Sequence, residues 1–215
     1  MLSAREANRR YFHEAYRTGE HGWSVDMPSP YVVEALKRLK NQVPGGTLLD
    51  IGCGEGRHSI AAAGLGFRVT GVDYEPLALK RARRFAAAEN AAGIRFRKAD
   101  VFSLPFRGAS FDVVVDCGCL HHQRKRDWAA YRANILHVLK PGGFYVLSVF
   151  SPRFRLFSGS RRQWQLAFGA YRRYFRRRDI LDLFARHFDI LDIQEDRAGG
   201  FWNLTMQRRP RPETQ

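Results

Sequence analysis

The sequence predicts a single α/β domain built on a doubly wound, mostly parallel sheet. Short runs rich in β-branched residues alternate with Ala-, Leu- and Arg-rich stretches that have the length of helices. Three of these runs are almost continuously apolar, which is typical of parallel strands covered on both faces. The 215 residues suffice for one hydrophobic core and are too few for two ordinary domains.

Five strands and three helices account for the central part of the chain. Strands are predicted at 47–52, 67–73, 94–100, 111–118 and 143–150. Helices are predicted between them at 55–65, 76–90 and 127–139. Pro76 suits the first turn of the second helix, and Lys140-Pro141-Gly142-Gly143 is a strong stop signal after the third. Such alternation indicates parallel strands joined by crossover helices.

The pattern changes after residue 150. The segment 151–178, here called the Arg/aromatic segment, holds nine arginines, seven aromatic residues and no acidic residue. A last helix is predicted at 180–187, followed by strands at 188–196 and 201–209 that pair as an antiparallel hairpin. The domain therefore divides into N-terminal cap helices (1–46), a core (47–150), the Arg/aromatic segment, and a C-terminal helix and hairpin (179–209).

The net charge of the chain indicates an anionic partner but does not identify which kind. The chain carries 36 Lys and Arg against 21 Asp and Glu, a formal charge of +15, which attracts nucleic acid, acidic lipid or a small carboxylate. Three cysteines form neither a disulfide framework nor a four-ligand zinc site. No stretch approaches the roughly 20 apolar residues of a membrane span. We therefore expect a cytoplasmic protein with no metal and no membrane partner.

A glycine-rich turn joins the first predicted strand to its helix. Its glycines follow the pattern G-x-G-x-G, at Gly52, Gly54 and Gly56, and they let the backbone approach a nucleotide-like ligand. A dinucleotide fingerprint would need a glycine where Arg57 stands. Asp50 and Glu55 flank the turn with negative charge, which disfavours a pyrophosphate and suits an ammonium or sulfonium group.

Acidic residues end the next two strands. Asp73 can accept hydrogen bonds from both hydroxyls of a ribose. Asp100, followed by Val101 and Phe102, can offer a carboxylate to an exocyclic amine and an apolar bed to an adenine ring. Either acid alone could equally be a helix cap or a solvated charge. Their succession around one glycine turn favours a nucleoside site.

On these motifs the sequence resembles the class I S-adenosylmethionine-dependent methyltransferases. Five segments match the family's motifs in order: 48–59 (LLDIGCGEGRHS), 69–76 (VTGVDYEP), 98–106 (KADVFSLPF), 111–122 (FDVVVDCGCLHH) and 138–150 (VLKPGGFYVLSVF). The resemblance implies a Rossmann-like class I methyltransferase fold, with a seven-stranded, mostly parallel sheet whose last strand is antiparallel and with helices on both faces. It also implies an enzyme that uses S-adenosylmethionine and releases S-adenosylhomocysteine.

The resemblance assigns a role to each matching position. Asp50 and the 52–56 turn, with Cys53, would hold the methionine part of the cofactor, and Asp73 the ribose. Asp100 and Val101 would contact the adenine between apolar walls. The chain at 116–119 would pass near the sulfonium. The remaining residues that these roles involve are Gly52, Gly54, Gly56, Tyr74, Phe102, Asp116 and Cys117.

A narrower likeness extends to the N-terminus. The segments 16–19 (YRTG) and 23–28 (WSVDMP) are similar to those that cap the cofactor in small tellurite-resistance and thiopurine-type methyltransferases. This likeness implies that Trp23 contacts the cofactor.

Candidate residues for the acceptor side are fewer. His121 and His122 follow the fourth strand, where one of them could be a general base; a capping or packing role is equally open. Trp164, Phe168 and Tyr171 are spaced so that a short helix would align them as one aromatic face of a substrate lid. The same spacing also suits an apolar seam under solvated arginines.

Three functions remain open at this point. The first is direct in-line methyl transfer to a small molecule with a sulfur, oxygen or nitrogen nucleophile, which can be acidic. The alternative is an RNA or other nucleic-acid methyltransferase that uses the basic surface, although the Asp/Asn-Pro-Pro-aromatic signature of exocyclic-amine methylation is absent from the sequence. The third is a scaffold that binds the cofactor without turnover.

Overall fold

The computed structural model of the protein describes residues 3–19, 21, 23 and 27–210. The helices are α1 (Ala4–Thr18), α2 (Pro30–Leu39), α3 (Arg57–Gly64), α4 (Pro76–Ala88), α5 (Trp128–Val138) and α6 (Arg177–Phe184). The strands are β1 (Thr47–Ile51), β2 (Arg68–Asp73), β3 (Ile94–Lys98), β4 (Phe111–Cys117), β5 (Leu139–Phe150), β6 (Trp164–Ala167), β7 (Ala170–Arg173), β8 (Phe188–Asp196) and β9 (Phe201–Arg208).

Seven strands form the main sheet in the order β3-β2-β1-β4-β5-β9-β8. Neighbouring strands from β3 to β5 are parallel, and β9 runs antiparallel to both β5 and β8. This confirms the predicted seven-stranded fold with an antiparallel last strand. The order places the carboxyl ends of β1 and β4 side by side at the centre, where ligands bind in such sheets.

Side chains of the central strands point alternately to the two faces of the sheet and form a hydrophobic core on each face. Val113 and Val115 of β4 pack with α2 and α3, including Leu36 and Ala62. Val114 belongs instead to the cluster on the other face, which includes residues of α5 and α6. Because side chains on a strand point alternately to the two faces, an unbroken valine run fills both cores at once.

The last helix begins earlier than the sequence predicts. We predicted 180–187, but α6 spans Arg177–Phe184. The Asp179 side chain accepts a hydrogen bond of 2.8 Å from the Arg176 amide and so caps the first turn. The predicted stop after α5 is confirmed, since that helix ends at Val138 and β5 begins at the next residue.

The Arg/aromatic segment contains a hairpin and not the helix that we expected for Trp164, Phe168 and Tyr171. Strands β6 and β7 pair antiparallel and form a separate two-stranded sheet. Phe168 and Gly169 connect them with positive φ angles of 52° and 80°. Left-handed conformations at both central residues suit a tight hairpin turn and cannot continue a helix. The prediction of a helix was therefore wrong.

No helix in the described ranges is long and apolar enough to cross a membrane.

Candidate cofactor and acceptor site

A large cavity opens at the carboxyl ends of the central strands. Its volume is about 1600 Å³, which exceeds the roughly 300–1,000 Å³ of a pocket for one small molecule. Helix α1 lies across it and contributes several of its lining side chains, including Asn8, Tyr11 and Tyr16. The cavity is therefore large enough for two ligands held side by side.

The glycine turn forms one end of this cavity. Gly52, Gly54 and Gly56 all have positive φ angles, of 65°, 55° and 84°. A Cβ on Gly54 would stand 2.8 Å from the Tyr16 hydroxyl, and one on Gly56 would stand 2.9 Å from the Phe96 ring. Gly52, Cys53 and Gly54 line the cavity, whereas Gly56 packs behind the turn at the start of α3. The turn therefore requires glycine both for conformation and for space.

Asp73 lies at the end of β2, facing the turn. Its two carboxylate oxygens accept hydrogen bonds from the Gly54 amide at 3.0 Å and from the Glu75 amide at 2.9 Å. Burial raises the pKa of Asp73 to about 6, so the group is ionised at neutral pH. It lines the cavity, and its charge is available to donors of a bound molecule.

The end of β3 supplies the next wall. Asp100 accepts hydrogen bonds from the Phe102 amide at 2.9 Å and from the Arg9 guanidinium of α1 at 2.8 Å. Val101, Phe102 and Tyr74 line the cavity beside it. A carboxylate beside apolar side chains provides a hydrogen-bond acceptor and a flat apolar bed, the combination that an adenine ring requires.

Two predicted contact residues lie behind the cavity wall. Asp50 is buried and accepts a hydrogen bond of 2.6 Å from Ser59 of α3. Asp116 is fully buried and accepts hydrogen bonds from the hydroxyls of Tyr131 at 2.6 Å and Tyr145 at 2.9 Å. Neither lines the cavity. Each carboxylate instead fixes the end of a strand whose following residues do line it.

The chain after β4 passes along the floor of the cavity. Cys117, Gly118 and Cys119 line it, and Gly118 has a φ of 109°. Burial raises the pKa of the Cys117 thiol to about 11, so this thiol is protonated and is not a nucleophile at neutral pH. Within the described ranges, no group of three or more His, Cys, Asp or Glu side chains is arranged to hold a metal ion.

Both candidate histidines border the same cavity. His122 Nδ1 lies 2.9 Å from the Tyr171 carbonyl, which can only accept, so this nitrogen carries the proton. His121 is buried, stacks on Phe150 at 3.5 Å, and its Nδ1 has no hydrogen-bond partner among the described residues. Burial lowers the pKa of His122 to about 4 and that of His121 well below its usual value. Both rings are neutral at physiological pH.

Aromatic side chains of the N-terminal segment close the cofactor end. The Trp23 indole donates to the Tyr16 hydroxyl at 3.2 Å, and its carbonyl accepts from Arg57 at 2.7 Å. Its ring stacks on His21 at 4.6 Å. Trp23 lines the cavity, and its contact with the cofactor stays a prediction; residues 24–26 of the predicted capping segment lie outside the described residues.

The three aromatic residues predicted for the lid do not act as one face. Phe168 lines the cavity at its rim and is 77% exposed. Trp164 and Tyr171 stack on each other at 5.9 Å and do not line the cavity.

Sequence reasoning missed several residues that form the far end of the cavity. Arg172 is buried and lines it. Phe150, Phe154 and Phe201 also line this end, with the first two stacked at 3.8 Å. The arginine and aromatic content of 151–178 was the available signal, but it does not say which of nine arginines turns inward. We call this far end, with His121 and His122, the acceptor lobe.

The described residues fit S-adenosylmethionine on structural grounds. Gly54 has a left-handed φ of 55°, which larger residues rarely adopt, and the ionised carboxylate of Asp73 lies beside it. Asp73, Asp100 and Glu55 all line this end, so its carboxylates suit a ligand that carries a positive charge and hydroxyl donors.

Comparison with known proteins agrees with this fit. Residues 48–143 match a family model described as a methyltransferase domain. Over 128 residues the chain is 28% identical to a 2-heptyl-1-hydroxyquinolin-4(1H)-one methyltransferase of Mycobacteroides abscessus, a stretch that covers 60% of this chain and 55% of the relative. Over 111 residues it is 38% identical to a 2-methyl-6-phytyl-1,4-hydroquinone methyltransferase of Synechocystis, covering 51% of this chain and 34% of the relative. The chain thus spans about half or less of the length of these relatives.

A solved structure matches almost the whole chain. The 1,6-didemethyltoxoflavin-N1-methyltransferase of Burkholderia thailandensis, with bound 1,6-didemethyltoxoflavin and S-adenosylhomocysteine, is 26% identical, with a TM-score of 0.75. The match covers 97% of this chain and 92% of that one. Residues 48–143 therefore form a methyltransferase domain, and the fold is that of the class I S-adenosylmethionine-dependent methyltransferases, which supports S-adenosylmethionine as the cofactor. The narrower tellurite-resistance and thiopurine-type group stays a prediction.

Proposed function

We propose that this protein transfers a methyl group from S-adenosylmethionine to a small planar aromatic acceptor with a sulfur, oxygen or nitrogen nucleophile. The observation that carries the proposal is the continuity of the cavity. One volume runs from the glycine turn to the acceptor lobe, so two ligands can meet inside it. Walls of Phe150, Phe154 and His121 favour a flat acceptor, because aromatic faces pack well on aromatic rings.

Each predicted cofactor residue then has a role in holding the cofactor. Asp73 would accept the ribose hydroxyls, and Asp100 would accept from the adenine amine beside Val101 and Phe102. Gly52 and Gly54 would admit the methionine part close to the backbone. Asp50 and Asp116 would act as positioning residues, since their carboxylates hold strand ends and lie outside the cavity.

The chemistry demands alignment and a dry pocket more than an acid or a base. When bound, S-adenosylmethionine supplies an electrophilic methyl group. The chain's own contribution is to orient the acceptor nucleophile toward it and to exclude water with α1, the phenylalanines and the rim residue Phe168. His121 and His122 are both neutral, and each would form a hydrogen bond with the methyl acceptor, either as donor or as acceptor of the proton.

The names of similar proteins support a cyclic, unsaturated acceptor. A hydroxyquinolinone, a phytyl hydroquinone and 1,6-didemethyltoxoflavin are the molecules that the three compared methyltransferases are named for. Other relatives carry different names, among them a 27-O-demethylrifamycin SV methyltransferase of Amycolatopsis mediterranei. The three molecules named first share a ring system, and this supports a cyclic acceptor for this chain.

The test has two stages. Calorimetric titration with S-adenosylhomocysteine, repeated at about 0.5 M salt to screen surface charge, should give saturable binding in both conditions. The protein is then incubated with S-adenosylmethionine and an acceptor panel of hydroxyquinolones, hydroquinones, aromatic thiols and pteridine-like heterocycles. We expect S-adenosylhomocysteine to form when the panel compound is a planar aromatic acceptor. Binding of the product without turnover of any acceptor would instead favour a cofactor-binding scaffold.

A further inference from the structure

The acceptor lobe contains a buried cation that has no counter-ion among the residues that the structure describes. Arg172 of β7 is 6% exposed and lines the cavity. Its Nη1 donates to the Ala167 carbonyl and lies 3.5 Å from the Ala170 carbonyl. Within the described ranges, no carboxylate pairs with it. Burying an unpaired charge is costly, so its retention beside an open volume indicates a partner that arrives with the ligand.

Three other arginines that line the cavity, Arg5, Arg9 and Arg153, do have carboxylate partners, and Arg57 and Arg155, which also line it, are not buried. Arg9 pairs with Asp100 at 2.8 Å. Arg153 pairs with Glu195 at 3.4 Å, and Arg5 lies 3.7 Å from Asp127. Each of these side chains is about half exposed, so water also solvates its charge.

The groups that surround Arg172 leave its charge uncompensated. Its guanidinium carbon stands 4.8 Å from the centre of the Tyr11 ring of α1, a contact that favours a cation without neutralising it. His121 and His122, on the turn after β4, are held neutral by burial, and the nearby Arg172 charge lowers the pKa of both further. Neither ring supplies an anion that would offset the charge of Arg172.

We propose that Arg172 binds an anionic group of the methyl acceptor, so that the acceptor enters the cavity as a planar aromatic anion. This inference rests on the proposed function, because it concerns the acceptor lobe of the same cavity. A planar guanidinium matches a carboxylate or an ionised ring oxygen through charge-assisted hydrogen bonds. The stacked phenylalanines recognise the ring, and Arg172 selects for its charge.

The test uses two probes of similar shape and different charge. Anilinonaphthalene sulfonate is anionic, N-phenylnaphthylamine is neutral, and both fluoresce when bound in an apolar site. Their affinities are measured with the wild-type protein with and without S-adenosylhomocysteine, and with three variants. Arg172→Gln removes the charge, Arg172→Lys keeps it, and Arg161→Gln removes an exposed arginine of the same segment that does not line the cavity.

We expect Arg172→Gln to weaken binding of the anionic probe by about tenfold or more, because a charge-assisted hydrogen bond is lost. Binding of the neutral probe should be unchanged. Arg172→Lys should retain most of the anion affinity, and Arg161→Gln all of it. Equal losses in Arg172→Gln and Arg161→Gln would show a diffuse surface effect and overturn the proposal, as would an undiminished anion affinity in Arg172→Gln.

A measurement on the wild type covers the case in which Arg172→Gln does not fold. Naphthoate should displace the anionic probe about tenfold better than naphthalenemethanol, which has the same ring and no charge. Equal displacement contradicts a site for anions. The proposed function fails separately, if S-adenosylhomocysteine does not bind or no acceptor turns over, so the two failures are distinguishable.

Discussion

At the scale of single residues, Asp73 carries the strongest expectation. Its carboxylate already orders the amides of Gly54 and Glu75 and faces the cavity. We expect Asp73→Ala to weaken S-adenosylhomocysteine binding by about tenfold or more, because an ionised acceptor for two hydroxyls is lost. Calorimetry measures this, with Asp189→Asn, an exposed acid on the edge strand, as the control. Wild-type affinity in Asp73→Ala would contradict the assignment of the motif.

The raised pKa of Asp73 also predicts a pH dependence. Burial moves this pKa to about 6, and the ionised form accepts hydroxyl donors better than the protonated form. Cofactor binding should therefore weaken as the pH falls through 6, with a rise in the dissociation constant of up to about tenfold between pH 7 and pH 5.

The variant Asp73→Asn distinguishes a pH dependence caused by Asp73 from one caused by Asp50. Burial also raises the pKa of Asp50 to about 6, although that side chain lies behind the wall. The asparagine variant should lose most of the pH dependence. A slope as steep as that of the wild type would assign it to Asp50.

The glycine turn and Asp73 could be predicted from the sequence because strand, turn and helix are adjacent along the chain. Their geometry is local, and the spacing of Gly52, Gly54 and Asp73 fixes it. Arg172 could not be identified in this way. Its burial depends on a hairpin packed under α1, and nothing local distinguishes it from its neighbour Arg173, which is also buried but packs over Trp128 at 5.0 Å.

At the scale of elements, Gly54 in the middle of the glycine turn and Gly64 at the end of α3 form a matched pair. Gly54 has a φ of 55° and no room for a Cβ, whereas Gly64 lies at the end of α3 with nothing within 4 Å. Gly54→Ala should reduce cofactor affinity by about tenfold and destabilise the fold by about 1 kcal/mol. Gly64→Ala should stabilise it by about 0.5 kcal/mol.

Chemical denaturation and calorimetry check both variants. If the two variants bound the cofactor with equal affinity, cofactor binding would not depend on a left-handed glycine at position 54.

The buried Asp116 network ties three elements together. Its carboxylate accepts from Tyr131 of α5 and Tyr145 of β5. Tyr131→Phe removes one of these donors inside the core, and we expect a loss of about 1–3 kcal/mol in the free energy of unfolding. Tyr174→Phe is the control, since Tyr174 is a buried residue whose hydroxyl makes no hydrogen bond within the described ranges. Equal effects of the two substitutions would mean that the hydrogen bond contributes little.

The incorrect helix prediction has an elementary cause. The four- and three-residue spacing of Trp164, Phe168 and Tyr171 fits a helix, but spacing alone does not register the backbone at Phe168-Gly169. Glycine at the second of two turn positions favours a hairpin, and the alternation of exposed Trp164 and Leu166 on β6 agrees with a strand.

At the scale of the whole molecule, the sequence predicts the layers and most strand boundaries correctly. Buried valine runs and punctuating glycines define each strand locally, and the number of strands limits how they can pair. The placement of α1 over the cavity was not predicted in detail, because it depends on contacts between the N-terminus and segments far along the chain.

The distribution of charge leads to a prediction about nucleic acid. Edge strand β3 exposes Arg95, Arg97 and Lys98, close to exposed Lys80 and Arg84 of α4, and none of these has an ion pair among the described residues. We expect weak binding to single-stranded RNA that decreases steeply with salt and that Arg95→Glu/Arg97→Glu reduces.

This surface binding should leave S-adenosylhomocysteine affinity unchanged, because none of these side chains lines the cavity. Methyl incorporation into RNA that survives about 0.5 M salt would instead support the nucleic-acid alternative.

Two side chains of α1 contact opposite ends of the cavity. Asn8 donates to the His122 carbonyl at 2.9 Å and accepts from the Tyr171 amide at 2.6 Å, while Tyr16, on the same helix, stands over the glycine turn. Because α1 contacts both ends, a movement of this helix that admits one ligand would also loosen the walls around the other. We expect S-adenosylhomocysteine and the methylated acceptor to leave the cavity in a single opening event, so that their release is concerted.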